Sequence, residues 1–171
     1  MKEVVVINGK AKVGKDLFVS YVSEEVGTIN YSSVYELKKL ATEYFGYNDK
    51  NKNAKDRKFL SNLKDLTTNY CNFCFNCVMS RYLEYKNDDN EIMFIHCREP
   101  EEIAKIKEAI PKSHTLLIVS DRDIEAVDNN HSDKDVLDYD YEFYINNSGT
   151  KEELKLKAID FIKNLRLSNH E

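Results

Sequence analysis

Apolar and polar positions along the chain follow two rhythms in turn. Residues 3 to 8, Glu-Val-Val-Val-Ile-Asn, form a β-branched run of the kind buried on both faces in a parallel sheet, and Gly9 ends it. From residue 15 to about residue 26 the spacing is helical, so the chain opens as strand, glycine loop, helix. A second short strand is expected over 28 to 31. Ser32 or Ser33 can then cap a helix that carries Val34, Leu37, Leu40, Ala41 and Tyr44 at spacings of three and four. Residues 48 to 55 read as a polar loop. From about 55 to 85 the positions Phe59, Leu60, Leu63, Leu66, Tyr70, Cys74, Cys77 and Val78 keep helical spacing, as one long helix or two, up to the turn-rich Asn87-Asp88-Asp89-Asn90.

The second half repeats the alternation. Residues 91 to 96 predict a buried strand, Pro100 suits the first turn of a helix ending near Pro111, and residues 114 to 120 predict a further strand. An acidic, polar segment over 121 to 140 reads as a loop, followed by a strand over 141 to 145 and a closing helix from 150 to about 167. Five strands alternating with helices predict an α/β fold, a five-stranded parallel sheet with helices on both faces. No repeat, low-complexity tract or Gly/Pro/Ser-rich linker divides the chain. The expected organisation is therefore one domain over 1–171, with a helical region at about 32–86 and a short lid at about 121–138.

Composition narrows the function classes. At 171 residues the chain can bury a core without disulfides. The four apolar residues after Met1-Lys2-Glu3 are too few for a signal peptide, and no run approaches the roughly 20 apolar residues of a membrane span, so a cytoplasmic protein without a membrane partner is expected. A net charge of −5 disfavours broad attraction to nucleic acid while leaving room for a local cationic pocket. Three of the four cysteines crowd into Cys71-x-x-Cys74-x-x-Cys77, unlike a secreted disulfide framework. That spacing can ligate an iron–sulfur cluster or zinc, with Cys97 as a fourth ligand only if the fold brings it near. On a helix, residues three apart advance by about 300°, so the same cysteines also suit a broad buried face interleaved with Phe73 and Phe75.

The segment richest in chemistry is Gly9-Lys10-Ala11-Lys12-Val13-Gly14-Lys15-Asp16, which follows a strand and opens a helix. In that context the backbone N–H groups of the loop and helix start point into one concavity, and Lys15 adds a point charge for the β and γ phosphates of a nucleoside triphosphate. The final position departs from the usual pattern: a Ser or Thr hydroxyl that would bind magnesium is replaced by Asp16, which becomes the candidate metal ligand.

A loop ending Gly14-Lys15-Asp16 resembles that of the phosphomevalonate kinases and the phage-type deoxynucleoside monophosphate kinases. The stretch Phe94-Ile95-His96-Cys97-Arg98-Glu99-Pro100 resembles their strand end and following helix, and residues 141 to 154 their last strand and adenine-side loop. The blocks Arg57-Lys58-Phe59-Leu60-Ser61-Asn62-Leu63-Lys64-Asp65 and Asn130-His131-Ser132-Asp133 are similar to those of kinase-like proteins of bacteria and their phages. The resemblance implies a P-loop kinase of the nucleoside monophosphate kinase type, with ATP and Mg2+ as cofactors and a small-molecule phosphoryl acceptor, a nucleoside monophosphate first. It assigns Lys10, Lys15 and Asp16 to the phosphate loop and makes Arg98 an arginine that reaches phosphate. Where the family more often carries Asp, this chain has His96, for which Asp16 and Glu99 are the nearest substitute carboxylates. A packed strand-end histidine is an equal reading of His96.

The remaining candidates each have a plainer alternative. Arg57 and Lys64, seven apart, share a helical face that can meet an anionic acceptor or simply face solvent; the resemblance favours Arg57. Ser33 lies where such kinases receive the acceptor, and capping alone would also explain it. Arg122 and Lys134 bracket the lid, and His131 inside it is a candidate nucleotide or acceptor contact, whereas Asp135, Asp138 and Asp140 suit a solvated edge. Asn147 lies in the loop that lines adenine in the resembling kinases, a loop that turn chemistry explains equally well. Two rivals to a kinase are a nucleotide-binding regulatory protein that has lost turnover and a redox or metal module built on the cysteines. The sequence does not fix the oligomeric state.

Overall fold

β1 (Glu3–Asn8) is buried at every position, as a β-branched strand must be when it lies mid-sheet under helices on both faces. The structure is a computed structural model, and it describes residues 2–50, 53–121, 135–137 and 139–168. Five strands form one parallel sheet in the order β2-β3-β1-β4-β5, where β2 is Thr28–Ser32, β3 Ile92–His96, β4 His114–Val119 and β5 Phe143–Asn146. Parallel register pairs Val5 with Phe94 and His114, and Ile118 with Ile145. Residues 114, 116 and 118 alternate with 115 and 117, so each strand serves both faces of the sheet.

The chain divides into two compact units. The first, Met1–Asn30 with Asp88–Glu171, holds most of the sheet. On one face Val5, Ile7, Phe94, Leu116 and Ile118 meet Phe18 and Val22 of α1 (Lys15–Ser23) and Leu154, Ala158 and Phe161 of the closing helix, α6 (Lys151–Leu167). Phe18 and Phe161 meet edge to face with centroids 5.5 Å apart. The alternate strand residues Val4, Val6, Met93 and Ile95 are buried too, as are Ile103 and Ile106 of α5 (Pro100–Ala109), which begins at Pro100 as expected. Thr150 opens α6 with a capping box, its hydroxyl accepting from Glu153 N while the Glu153 carboxylate accepts from Thr150 N.

The second unit, Tyr31–Asn87, is helical: α2 (Tyr35–Phe45), α3 (Ala54–Cys71) and α4 (Phe73–Tyr85). Two helices, not one, cover the long periodic stretch, because Asn72 takes a left-handed conformation (φ 50°) between them. Its periodicity overstates burial. Among the described residues α3 buries no side chain, and Leu66 and Tyr70 are exposed. Neither Ser32 nor Ser33 caps α2: the capping position is Val34, with no side-chain bond. The last strand starts at Phe143 rather than residue 141, for a reason that lies in the site. No helix among the described residues is long and apolar enough to cross a membrane.

Candidate functional site

The loop between β1 and α1 needs its glycines. Gly9 has φ 146°, and a Cβ there would lie 2.4 Å from the Ile118 carbonyl oxygen of β4, a backbone atom with no freedom to retreat. Gly14, at φ 94°, is the capping residue of α1 and brings no side chain to the helix start. The first N–H groups of α1 therefore have no side-chain cap, and the positive end of the helix opens beside the loop. Lys15 lays its ammonium across that loop, donating to the carbonyls of Gly9 at 2.6 Å and Lys10 at 2.7 Å. Ala11 is half-buried and Val13 buried, while Lys12, at φ 65°, is exposed.

Two asparagines pin this loop. Asn147 donates through Nδ2 to the Val13 carbonyl at 2.8 Å, tying the end of β5 to the loop. Asn8, fully buried, accepts from Gly9 N at 2.7 Å and donates to the Arg98 carbonyl at 3.0 Å and the Tyr141 hydroxyl at 2.7 Å. Tyr141 passes its own proton to the Val136 carbonyl at 2.9 Å, and burial pushes the phenol up to about 12, so it stays a donor. This inward turn of Tyr141 is why β5 begins later than its pattern suggests. Sequence reasoning missed Asn8 and Tyr141; the only trace was a polar residue closing an apolar strand.

Beside the carboxyl end of β3, side chains from α1, β2 and β3 meet in a chain. Asn30 donates through Nδ2 to Asp16 Oδ1 at 3.2 Å, and His96 donates through Nε2 to Asn30 Oδ1 at 2.5 Å. His96 Nε2 also lies 3.9 Å from Asp16 Oδ1. Burial holds the His96 imidazole down to about 4; Asp16 opposes this, and Lys15 and Arg98 reinforce it. Lys15, Asp16, His96 and Arg98 thus share one electrostatic neighbourhood. Glu99 is the capping residue of α5, and its carboxylate, the Cys97 thiol and the Glu102 carboxylate bring ligand atoms within 4.8 Å of one another. That is where the described residues gather metal-ligating groups, not at Cys71, Cys74 and Cys77. Cys71 ends α3, Cys74 is buried in α4, and burial together with Glu36 and Cys71 pushes the Cys77 thiol up, away from thiolate chemistry.

The other candidates belong to the second unit or lie outside the described residues. Ser33, Arg57 and Lys64 belong to the helical unit: Ser33 is buried, Arg57 exposed and Lys64 half-buried on α3. Arg122, His131 and Lys134, with the rest of Asn130-His131-Ser132-Asp133, lie outside the described residues. Next to the loop a cavity of about 180 Å³ is walled by Lys10, Val13, the end of β4 and Val136 and Leu137.

The lowered pKa of His96 carries a sign. Between about pH 6.5 and 4 the unfolded chain takes up a proton that the folded protein refuses, so stability falls with pH through that window. His96→Gln should remove this dependence: unfolding free energies from urea titrations at pH 7 and pH 5 should differ by about 1–2 kcal/mol more in the parent than in the variant. Equal pH dependence in both would show that the imidazole is not held neutral.

No protein-family model matches the chain, and no curated protein matches it in sequence. Among solved structures, the tunicamycin resistance protein of Deinococcus radiodurans is similar in fold, with 9% identity, a TM-score of 0.51 and coverage of 95% of this chain and 96% of that one. Shikimate kinase from Aquifex aeolicus vf5 aligns at 14% identity over 96% of this chain and 98% of that one, with a TM-score of 0.48. The likeness is one of fold, an α/β fold built on a five-stranded parallel sheet.

Proposed function

We propose that this protein is an ATP-dependent phosphotransferase that moves the γ-phosphoryl group to a small acceptor, a nucleoside or deoxynucleoside monophosphate first among them. The observation that carries the reading is the uncapped start of α1, with the Lys15 ammonium lying across the loop between Gly9 and Gly14. Backbone N–H groups, helix dipole and ammonium converge there, which suits a polyphosphate. The position agrees: the strand order reverses at β1, and ligands of open α/β sheets bind beyond the carboxyl ends of strands at such a switch point. The cavity beside Lys10 and Val13 offers room for part of the nucleotide.

Asp16 suits magnesium, since its carboxylate is 88% exposed, stands at the helix start beside Lys15 and accepts a hydrogen bond from the Asn30 amide. A bound magnesium ion would neutralise charge on the phosphates. Arg98 adds a cation to the same neighbourhood, and in this reading Arg122 and Lys134 supply further cations from the lid. The acceptor preference comes from the resemblance, as do the roles of Ser33, Arg57, Lys64 and His131.

The test is ATP consumption with magnesium against a panel of nucleoside and deoxynucleoside monophosphates, with Lys15→Ala as the blank. Diphosphate formation that needs both acceptor and Lys15 supports the reading; Lys15-dependent ATP binding without turnover on any acceptor sinks it. One observation favours a second reading, a nucleotide-binding protein without turnover: a neutral, hydrogen-bonded His96 occupies the place of a carboxylate. There His96→Asp would create transfer in a protein that otherwise only binds.

A further inference from the structure

The chain Asp16–Asn30–His96 has only one consistent arrangement of protons. An ionised carboxylate only accepts hydrogen bonds, so the Asn30 group facing Asp16 must be its NH2, at 3.2 Å. The Asn30 carbonyl oxygen is then the atom left for His96, and an oxygen without hydrogen can only accept. The proton between them therefore sits on His96 Nε2, and in a neutral ring Nδ1 is left with its lone pair. That lone pair is open: Nδ1 bonds to no described residue, and it is absent from the buried unpartnered polar atoms, which are Thr68 Oγ1, Ser113 Oγ and His114 Nε2. Nδ1 therefore reaches solvent.

We propose that Asn30 is a positioning residue that fixes the Nε2–H tautomer of His96, so that the phosphoryl acceptor meets an unprotonated Nδ1 and must offer it a hydroxyl or amino hydrogen. A phosphate oxygen, itself an acceptor, is refused at this point, so His96 selects for the body of the acceptor rather than for its anionic group. The statement about the acceptor rests on the phosphotransferase reading; the statement about the tautomer does not.

Long-range proton–nitrogen NMR of histidine-labelled protein at pH 7.5, with His96→Gln to assign the ring among four histidines, reads the tautomer directly. A protonated Nε2 and bare Nδ1 are expected. Asn30→Leu, at an exposed position where folding should survive, is expected to convert this to a mixture. A protonated Nδ1 in the parent, or an unchanged ring in Asn30→Leu, overturns the proposal whether or not the protein is a kinase. For the acceptor, nucleoside monophosphates are compared with forms lacking one sugar hydroxyl or base amino group, in the parent and in His96→Phe. The variant should lose about three- to tenfold in kcat/KM on the acceptor that carries the contacted hydrogen, and nothing on its partner without it. Equal loss across every pair overturns the selection, and no turnover on any acceptor overturns the kinase reading while the ring spectrum still decides the tautomer.

Discussion

Replacing Lys15 by alanine is expected to lower acceptor-dependent phosphoryl transfer by about a hundred- to a thousandfold, as loss of one aligned donor to developing charge commonly does. The ammonium already sits among the loop carbonyls, bonded to Gly9 O and Lys10 O, so a triphosphate entering the loop meets a cation held in place. Its removal also leaves those carbonyls short of a donor. They are only part-buried and can turn to water, so the melting temperature of the free protein should move little. The diagnostic readout is the rise in melting temperature with ATP and magnesium, which reports binding to the native state. It should be clear in the parent and much reduced in Lys15→Ala. Lys15→Arg should not rescue it, because a planar guanidinium does not fit where an ammonium bridges two carbonyls. An ATP-induced shift undiminished in Lys15→Ala would mean that the nucleotide does not use this loop.

The parts legible in the sequence are those encoded locally. Five β-branched or apolar runs separated by helical spacing predicted the parallel sheet, and Gly9 and Gly14 after the first run predicted the turn from β1 to α1, where both take positive φ. Pro100 and Thr150 marked helix starts by their own backbone chemistry. What escaped was set by partners distant in the chain. The apolar spacing of Phe59, Leu63, Leu66 and Tyr70 signals a helix, but whether that face is covered depends on neighbours the pattern does not name, and Leu66 and Tyr70 are exposed. Asn30 falls inside a short strand whose pattern gives it no role; only the folded arrangement of β2, β3 and α1 places it between Asp16 and His96. His96 itself was ambiguous between packing and function, and the structure gives it a partly buried ring with one hydrogen-bonded nitrogen.

Asn8 shows most fully how the sheet and the site depend on one another, and Asn8→Leu is expected to cost about 3 kcal/mol, from orphaned backbone groups that each cost roughly 1–3 kcal/mol. The side chain is fully buried and about the size of leucine, so the substitution opens little cavity and the loss is polar. Gly9 N loses its acceptor and the Arg98 carbonyl loses its side-chain donor, while Tyr141 keeps its bond to Val136 O. Against the 5–15 kcal/mol that holds a domain of this size folded, that is a large fraction, and it should appear as a lower urea midpoint at unchanged slope. Asn8→Asp should fail similarly, because a carboxylate can accept from Gly9 N but cannot donate to a carbonyl, and its charge would be buried. Tyr141→Phe, which removes one hydroxyl at the far end of the network, should cost only about 1 kcal/mol. If Asn8→Leu and Tyr141→Phe cost the same, the network matters only through the tyrosine hydroxyl. If Asn8→Leu costs more and also abolishes the ATP-induced stabilisation, then one buried amide holds both the strand end and the start of the loop from Gly9 to Gly14.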